Sequence, residues 1–323
     1  MKKTFFLLLI VPLFASCSIN KLVINKVSDV LGGTGGSGGS GSSDVFLKDN
    51  DPQLVGGSLP FAIKMYETLL EQNPNHPGLI LTTGSLFVMY ANAFVQGPAE
   101  MLPLEQYEEK GVQLDRAKNL YLRGAAILER GINNKYPGML DEWGPEDNPG
   151  FTNALSKMKK DDIALFYWYA AGNLSAYALN PFDISLGLRL PRLIAMMERA
   201  YELDPDYNSG SLDEFFLIVY GALPESMGGD PEKALTHFER ALKKSKGLSA
   251  APYVAYAQSI SLGNQDYNDF KAKLEAALEI DPAANPSNTL VNVINQRKAR
   301  YLLQKAPELF LYFEDENFEY YDE

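Results

Sequence analysis

The chain has 323 residues, a formal net charge of −12 and a single cysteine. Phosphate binding needs clustered Lys and Arg, so the acidic balance argues against a nucleic-acid partner. His76 and His237 are the two histidines, and neither has a second histidine at a metal-ligand spacing, so we expect no metal, no cofactor and no enzymatic activity.

The N-terminal segment has the pattern of an export signal. Lys2 and Lys3 form a charged start, and a nearly unbroken apolar run follows as far as Phe14. An apolar run of this length is too short to cross a hydrocarbon layer of about 30 Å as a stable helix. We therefore predict that residues 1–16 are a signal peptide that is removed after export.

Cys17 directly follows the segment Leu13-Phe14-Ala15-Ser16. This arrangement resembles the lipobox of bacterial lipoproteins, in which the cysteine becomes the acylated first residue of the mature chain. It departs from that motif at Phe14, where Leu or Ile is usual. We predict that Cys17 is lipidated, which leaves no thiol for a disulfide, a metal site or catalysis. The mature protein is then expected to be membrane-anchored and to face the periplasm.

A glycine- and serine-rich stretch, GGTGGSGGSGSS, occupies residues 32–43. Such a composition cannot bury apolar surface and behaves as a flexible coil. As a flexible coil, the segment of about 27 residues between Cys17 and Val45 would have a root-mean-square span of roughly 30 Å. We therefore assign residues 17–57 to a lipidated, flexible tether that holds a folded domain off the membrane.

Helical periodicity runs from residue 58 to about residue 313, and no stretch alternates as a β-strand would. Several helices share one spacing, which resembles the second helix of a tetratricopeptide repeat and is hard to explain by chance. We predict an all-α domain over residues 58–313, built from degenerate tetratricopeptide-like helix pairs in a compact superhelix. The residues that fit the spacing are Ala62, Tyr66, Leu69 and Pro74; Ala117, Tyr121 and Gly124; Leu193, Met197, Ala200 and Pro205; Ala234, Phe238 and Ala241; and Phe270, Leu274, Ala277 and Pro282.

The first helices of the pairs carry a bulky residue followed by a small one that lets neighbouring helices approach. Trp168 with Gly172 is the clearest case, and Gly84, Gly221 and Ala257 mark the others. The spacing therefore predicts that paired helices pack most closely at these small residues.

The segment Gly228-Gly229-Asp230-Pro231 resembles a glycine-rich phosphate loop, but no Lys-Ser/Thr follows it. Glycines can end one helix, an aspartate can cap the next, and proline is favoured at the first helical position. We therefore interpret this segment as a turn between two helices.

Six long blocks follow one another between Ser58 and Phe310. They read PFAIKMYETLLEQNPNHPGLIL, LDRAKNLYLRGAAILERG, LSKMKKDDIALFYWYAAGN, LPRLIAMMERAYELDP, ESMGGDPEKALTHFERAL and ARYLLQKAPELF. Together they resemble the tetratricopeptide-like lipoproteins of tripartite ATP-independent periplasmic (TRAP) transporters, known as the T component.

This resemblance implies a helical, non-enzymatic lipoprotein that assembles as a homotrimer. It implies one main partner, the periplasmic solute-binding subunit of the transporter, and a cavity for an apolar solute. The acidic aromatic tail at residues 314–323 is not part of the resemblance and receives no role.

In tetratricopeptide stacks the first helix of each pair lines the concave face. Positions on that face can be counted from the small residue of each first helix, and the side chains at these positions are mainly apolar. Such a face suits an apolar ligand or an amphipathic segment, because burial of apolar surface contributes about 25 cal/mol per Å² to the free energy of binding. The alternative is that the set packs against itself in a tight superhelix, since apolar helix stripes usually belong to the core. The predicted ligand- or partner-binding residues are Leu81, Val88, Met89, Phe166, Tyr169, Asn173, Tyr177, Phe215, Ile218, Val254 and Gln258.

Two functions are compatible with this sequence. The first is a lipid-anchored periplasmic accessory protein of a TRAP-type transporter, which docks the solute-binding subunit and holds an apolar solute in a concave cavity. The alternative is a generic repeat lipoprotein that scaffolds envelope assembly by binding peptide segments. Solute-binding and permease genes beside this one would favour the first.

Overall fold

A computed structural model describes residues 43–141 and 149–313. All regular secondary structure in those two ranges is helical, mostly α-helix with short 3-10 and π turns. The predicted all-α fold class is thereby confirmed. The signal peptide, Cys17, the glycine-rich stretch before residue 43 and the acidic tail lie outside the described residues.

The main helices follow one another through short connections. α3 contains a π-helical turn at Ala91–Gln96, and another π turn, Ala257–Ser261, directly extends α11. The helices are α1 (Ser43–Leu47), α2 (Pro52–Gln72), α3 (Pro77–Glu100), α4 (Tyr107–Lys135), α5 (Pro149–Ser156), α6 (Ile163–Leu179), α7 (Ile184–Gly187), α8 (Leu190–Leu203), α9 (Ser211–Ala222), α10 (Pro231–Lys244), α11 (Ala251–Tyr256), α12 (Tyr267–Leu278), α13 (Thr289–Gln304) and α14 (Ala306–Leu309).

The helical domain begins earlier than the sequence pattern predicts. α2 starts at Pro52, where the Asp51 carboxylate accepts hydrogen bonds from two backbone N–H groups, at 2.9 and 3.0 Å. Residues 52–57, which we assigned to the tether, therefore form the first turns of a helix. Gly56 lies in this segment, and a Cβ on it would lie 2.6 Å from a ring carbon of Phe94. Gly56 is a close-packing position and not part of a linker.

The spacing shared by the second helices identifies core positions in four of them. The three spaced residues in each of α4, α8, α10 and α12 are all buried. In α2 the register differs, because Tyr66 is buried while Ala62 and Leu69 are partly exposed. The tetratricopeptide-like order of the helix pairs itself stays a prediction. The buried residues of α2 are Val55, Leu59, Ile63, Tyr66 and Leu70.

Small residues allow α3, α4 and α6 to approach closely. A Cβ on Gly124 would lie 2.8 Å from the carbonyl oxygen of Gly84. A Cβ on Gly172 would lie 3.1 Å from Cγ2 of Val88 and 3.2 Å from the carbonyl oxygen of Tyr121. The expectation that Gly172 marks a close approach is confirmed, and a large side chain there would overpack the core by about 1–3 kcal/mol.

The turn before α10 has the predicted geometry. Asp230 accepts a hydrogen bond from the backbone N–H three residues later at 3.0 Å, and Pro231 is the first residue of α10. Gly228 has a φ of +97°, which favours glycine. A Cβ on Gly229 would lie only 1.8 Å from the carbonyl oxygen of Leu223. Both glycines are therefore explained by the turn.

The two ends of the helix array meet. α13 packs against α1 and α2, and its Leu290 joins the N-terminal core cluster. Lys298 Nζ forms an ion pair with Glu100 Oε2 at 3.2 Å, and these two residues are 198 positions apart. The Tyr301 hydroxyl donates to the carbonyl oxygen of Glu100 at 3.1 Å. Helices from the two ends of the described domain therefore contact each other.

One helix within the described ranges, α3, is long and apolar enough to cross a membrane if judged by length and composition. However, 61% of its most apolar stretch is buried inside the protein. Packing against α2, α4 and α6 therefore accounts for this composition as that of a core helix.

Candidate functional site

Most of the predicted binding residues lie in the core and not on an open face. Six of the eleven fill helix–helix interfaces, which is the arrangement of the tight-superhelix alternative; a binding role for any of the eleven stays a prediction. The six, each at most 8% exposed, are Val88, Phe166, Tyr169, Asn173, Phe215 and Val254. Leu81, Met89, Tyr177 and Gln258 are partly exposed, and Ile218 is 50% exposed.

α6 shows how these side chains are buried. The Phe166 ring lies 5.8 Å from the ring of Tyr136, and Tyr169 is completely buried. Asn173 is a core amide, since it donates to the carbonyl oxygen of Tyr169 at 2.9 Å and accepts from Arg189 Nη1 at 3.0 Å. α6 is apolar around most of its circumference, so periodicity alone cannot distinguish its inward face from its packed faces.

A different group of side chains lies between α6 and α9. We call Tyr167, Trp168, Tyr207, Glu214 and Ser249 the Glu214 cluster. Ser249 is buried and the other four are partly exposed. The Tyr167 ring lies 5.8 Å from the Tyr207 ring and 5.3 Å from the Trp168 ring. The Ser249 hydroxyl donates to Glu214 Oε1 at 3.4 Å. The cluster thus combines three aromatic rings with one carboxyl group.

The carboxyl group of this cluster is electrostatically unusual. Burial raises the pKa of Glu214, the weak hydrogen bond from Ser249 lowers it, and the neighbouring Asp213 carboxylate raises it, so that the net pKa is about 7. Burial also raises the pKa of Tyr167, and the negative charge of Glu214 adds to that rise. Glu214 therefore carries a charge that its surroundings do not compensate.

Asp213, on the same helix, has the opposite environment. We call Tyr201, Asp213, His237 and Lys244 the Asp213 cluster. Lys244 Nζ donates to Asp213 Oδ2 at 2.7 Å, His237 Nδ1 lies 2.8 Å from Oδ1, and the Tyr201 hydroxyl donates to Oδ1 at 3.1 Å. Burial raises the pKa of Asp213, but the hydrogen bonds from His237 and Lys244 outweigh it and hold this pKa below its usual value. The cluster joins α8, α9 and α10.

Sequence reasoning missed the Glu214 cluster, although one signal for it was present. α9 reads SLDEFFLIVYGA, and its two acids are the only charges in an otherwise apolar helix. Acids are favoured in the first turn of a helix by the helix dipole, so their position alone does not suggest a site. The aromatic partners come from elsewhere in the chain and could be found only from the structure.

One open cleft lies on the C-terminal side of the described domain. Its volume is about 510 Å³, and it is lined mainly by amide, carboxylate and phenol side chains. That lining does not match the apolar cavity expected for the solute. The residues around it are Asn264, Gln265, Asp266, Tyr267, Asn268 and Tyr312.

Comparison with known proteins identifies the family. A model for the TRAP transporter T-component matches residues 48–310. This chain belongs to the TRAP transporter T-component family. An uncharacterized protein of Treponema pallidum (strain Nichols) is 35% identical over 305 residues, which are 93% of this chain and 94% of that relative.

The family assignment confirms the resemblance seen in the six sequence blocks. The protein is therefore an accessory component of a TRAP transporter, and this membership favours a non-enzymatic role at the membrane or in the periplasm. The match starts at residue 48, which agrees with a helical domain that begins before Ser58.

Proposed function

We propose that this T-component is a lipid-anchored periplasmic protein that docks the solute-binding subunit of its transporter and holds an apolar organic solute. The family match over residues 48–310 carries this proposal. The same membership supports a homotrimer. The export-signal pattern followed by Cys17 supports the lipid anchor.

Docking at a membrane-bound transporter requires a surface that is accessible and already ordered. Phe182 is 93% exposed and Ile184 is 79% exposed. Between them, Asp183 accepts hydrogen bonds from two backbone N–H groups at 3.0 and 3.2 Å, and the following Leu186 is buried. Apolar side chains on a fixed backbone lose little conformational entropy on binding. We assign the docking surface to this segment, residues 181–188.

The test is sedimentation velocity of the complete mature chain carrying Cys17→Ser, mixed with the cognate solute-binding subunit. We expect a complex, and we expect the double variant Phe182→Ser, Ile184→Ser to weaken it at least tenfold, because loss of a buried aromatic anchor typically costs about 2 kcal/mol. Phe61→Ser is the matched control, since Phe61 is 76% exposed but lies on α2.

Two results would count against this proposal. The absence of any complex with the unmodified surface would contradict docking itself. Equal weakening by Phe61→Ser and by the double variant would show that residues 181–188 are not the docking surface. Circular dichroism of each variant checks that the helical fold persists.

A further inference from the structure

Glu214 is a carboxyl group without a cationic partner. It lies in the first turn of α9, keeps part of its surface accessible, and receives one long hydrogen bond, from Ser249 at 3.4 Å. Within residues 43–141 and 149–313, no Lys or Arg forms an ion pair with it. A desolvated acid of this kind is destabilising for the fold unless something else compensates its charge.

Tyr167, which lies within electrostatic reach of Glu214, packs against two further aromatic rings. Tyr167 and Tyr207 have ring centroids 5.8 Å apart with an interplanar angle of 51°, and Trp168 meets Tyr167 edge-on at 5.3 Å. The faces of such rings carry negative electrostatic potential, which attracts organic cations within about 6 Å. Rings and carboxyl group therefore favour the same kind of ligand.

We propose that Glu214, with the faces of Tyr167 and Tyr207, binds the ammonium group of an organic amine whose apolar part packs beside these rings. An anion is disfavoured by the carboxylate. The proposal rests on the proposed function, because it names the chemical class of the solute that the T-component would hold.

The groups that can titrate around Glu214 are few. Asp213 precedes it on α9 and is engaged by Lys244 and His237. Tyr167 comes from α6, and burial raises the pKa of Tyr207 to about 12. Ser249, from the loop before α11, does not titrate. Between pH 6 and pH 8, Glu214 is therefore the group within this cluster whose charge changes.

The experiment is isothermal titration calorimetry of the complete mature chain carrying Cys17→Ser, with n-hexylamine as the probe and n-hexanol as the uncharged comparison. We expect hexylamine to bind close to tenfold more tightly at pH 8 than at pH 6, because an acid with a pKa near 7 is mostly protonated at the lower pH. We expect hexanol to bind more weakly and without pH dependence.

Glu214→Gln should weaken hexylamine binding at least tenfold and remove its pH dependence. Glu71→Gln, on the exposed side of α2, should change neither and controls for general attraction to an acidic protein. Equal binding of hexylamine and hexanol would overturn the proposal, as would unchanged hexylamine binding by folded Glu214→Gln. If Glu214→Gln does not fold, the pH dependence of the parent chain alone decides.

The outcomes of the amine-binding experiment and of the docking experiment can be distinguished from each other. Absence of amine binding in a protein that still binds the solute-binding subunit overturns only the inference about Glu214. Absence of subunit binding in a protein that still binds hexylamine overturns docking and leaves the amine site in place.

Discussion

Asp213 and Glu214 are adjacent residues at the start of α9, and their surroundings differ sharply. Asp213 is completely buried and is held by Lys244, His237 and the Tyr201 hydroxyl. Glu214 keeps some exposure and receives one weak hydrogen bond. Consecutive helical residues point about 100° apart, so the two carboxyl groups meet different neighbours.

The difference indicates that Asp213 stabilises the fold, whereas the carboxyl group of Glu214 is available to a ligand. Donors from two other helices compensate the charge of Asp213, so its pKa stays below the usual value despite burial. No comparable donors reach Glu214, so burial raises its pKa to about 7. A fold that keeps an uncompensated acid close to the Tyr167 ring has a place where a ligand can supply the missing charge.

Breaking the Asp213 cluster should have the largest effect on stability. Asp213→Asn removes a fully buried carboxylate and leaves the Lys244 ammonium without its main partner, so we expect a loss of about 3 kcal/mol. Chemical denaturation at pH 7, followed by circular dichroism, measures this loss.

The pH dependence gives a second check on Asp213. Because its pKa is lowered in the folded protein, its stabilisation is present above the pKa of the unfolded chain and is lost as the pH falls through the folded pKa. Asp213→Asn should therefore flatten the acid side of the stability curve. A variant as stable as the parent at pH 7 would show that the cluster does not hold the helices together.

Glu214→Gln should have a smaller effect of the opposite sign. A folded pKa near 7, raised from 4.5, means that the folded chain binds more protons than the unfolded chain between those values. The contribution of Glu214 to the free energy of unfolding therefore falls as the pH rises from about 4.5 to 7, and it stays low above pH 7. Removing the acid should stabilise the protein at pH 8 by about 1–2 kcal/mol, after allowance for its partial exposure.

Denaturation of the parent and of Glu214→Gln at pH 5 and pH 8 measures this gain. The two proteins should differ more at pH 8 than at pH 5. If Glu214→Gln is less stable than the parent at pH 8, the carboxylate has a compensating partner and the comparison with Asp213 fails.

Features set by local chemistry could be predicted from the sequence. The turn at residues 228–231 follows from the conformations that glycine, aspartate and proline favour, and the structure reproduces it. The spacing that includes Met197 and Ala200 marks buried positions, and Gly172 lies where helices meet. Each of these depends on a few residues close together in the chain.

Features set by distant contacts could not be predicted in the same way. Residues 52–57 were assigned to the tether, whereas Gly56 packs against Phe94, which is distant in the sequence. Phe166 and Tyr169 were placed on an open face because α6 is apolar on nearly every side. Glu214 became a candidate only when its aromatic neighbours from other parts of the chain were known.

The charge state of Glu214 can be observed directly by nuclear magnetic resonance. The chain is labelled with carbon-13 at glutamate carboxyl groups, and the Glu214 signal is assigned by its absence in Glu214→Gln. We predict a titration midpoint near pH 7 for the free protein, shifted to lower pH by saturating n-hexylamine, because a bound cation stabilises the carboxylate. A midpoint near the ordinary glutamate value of about 4.3 in the free protein would contradict the account.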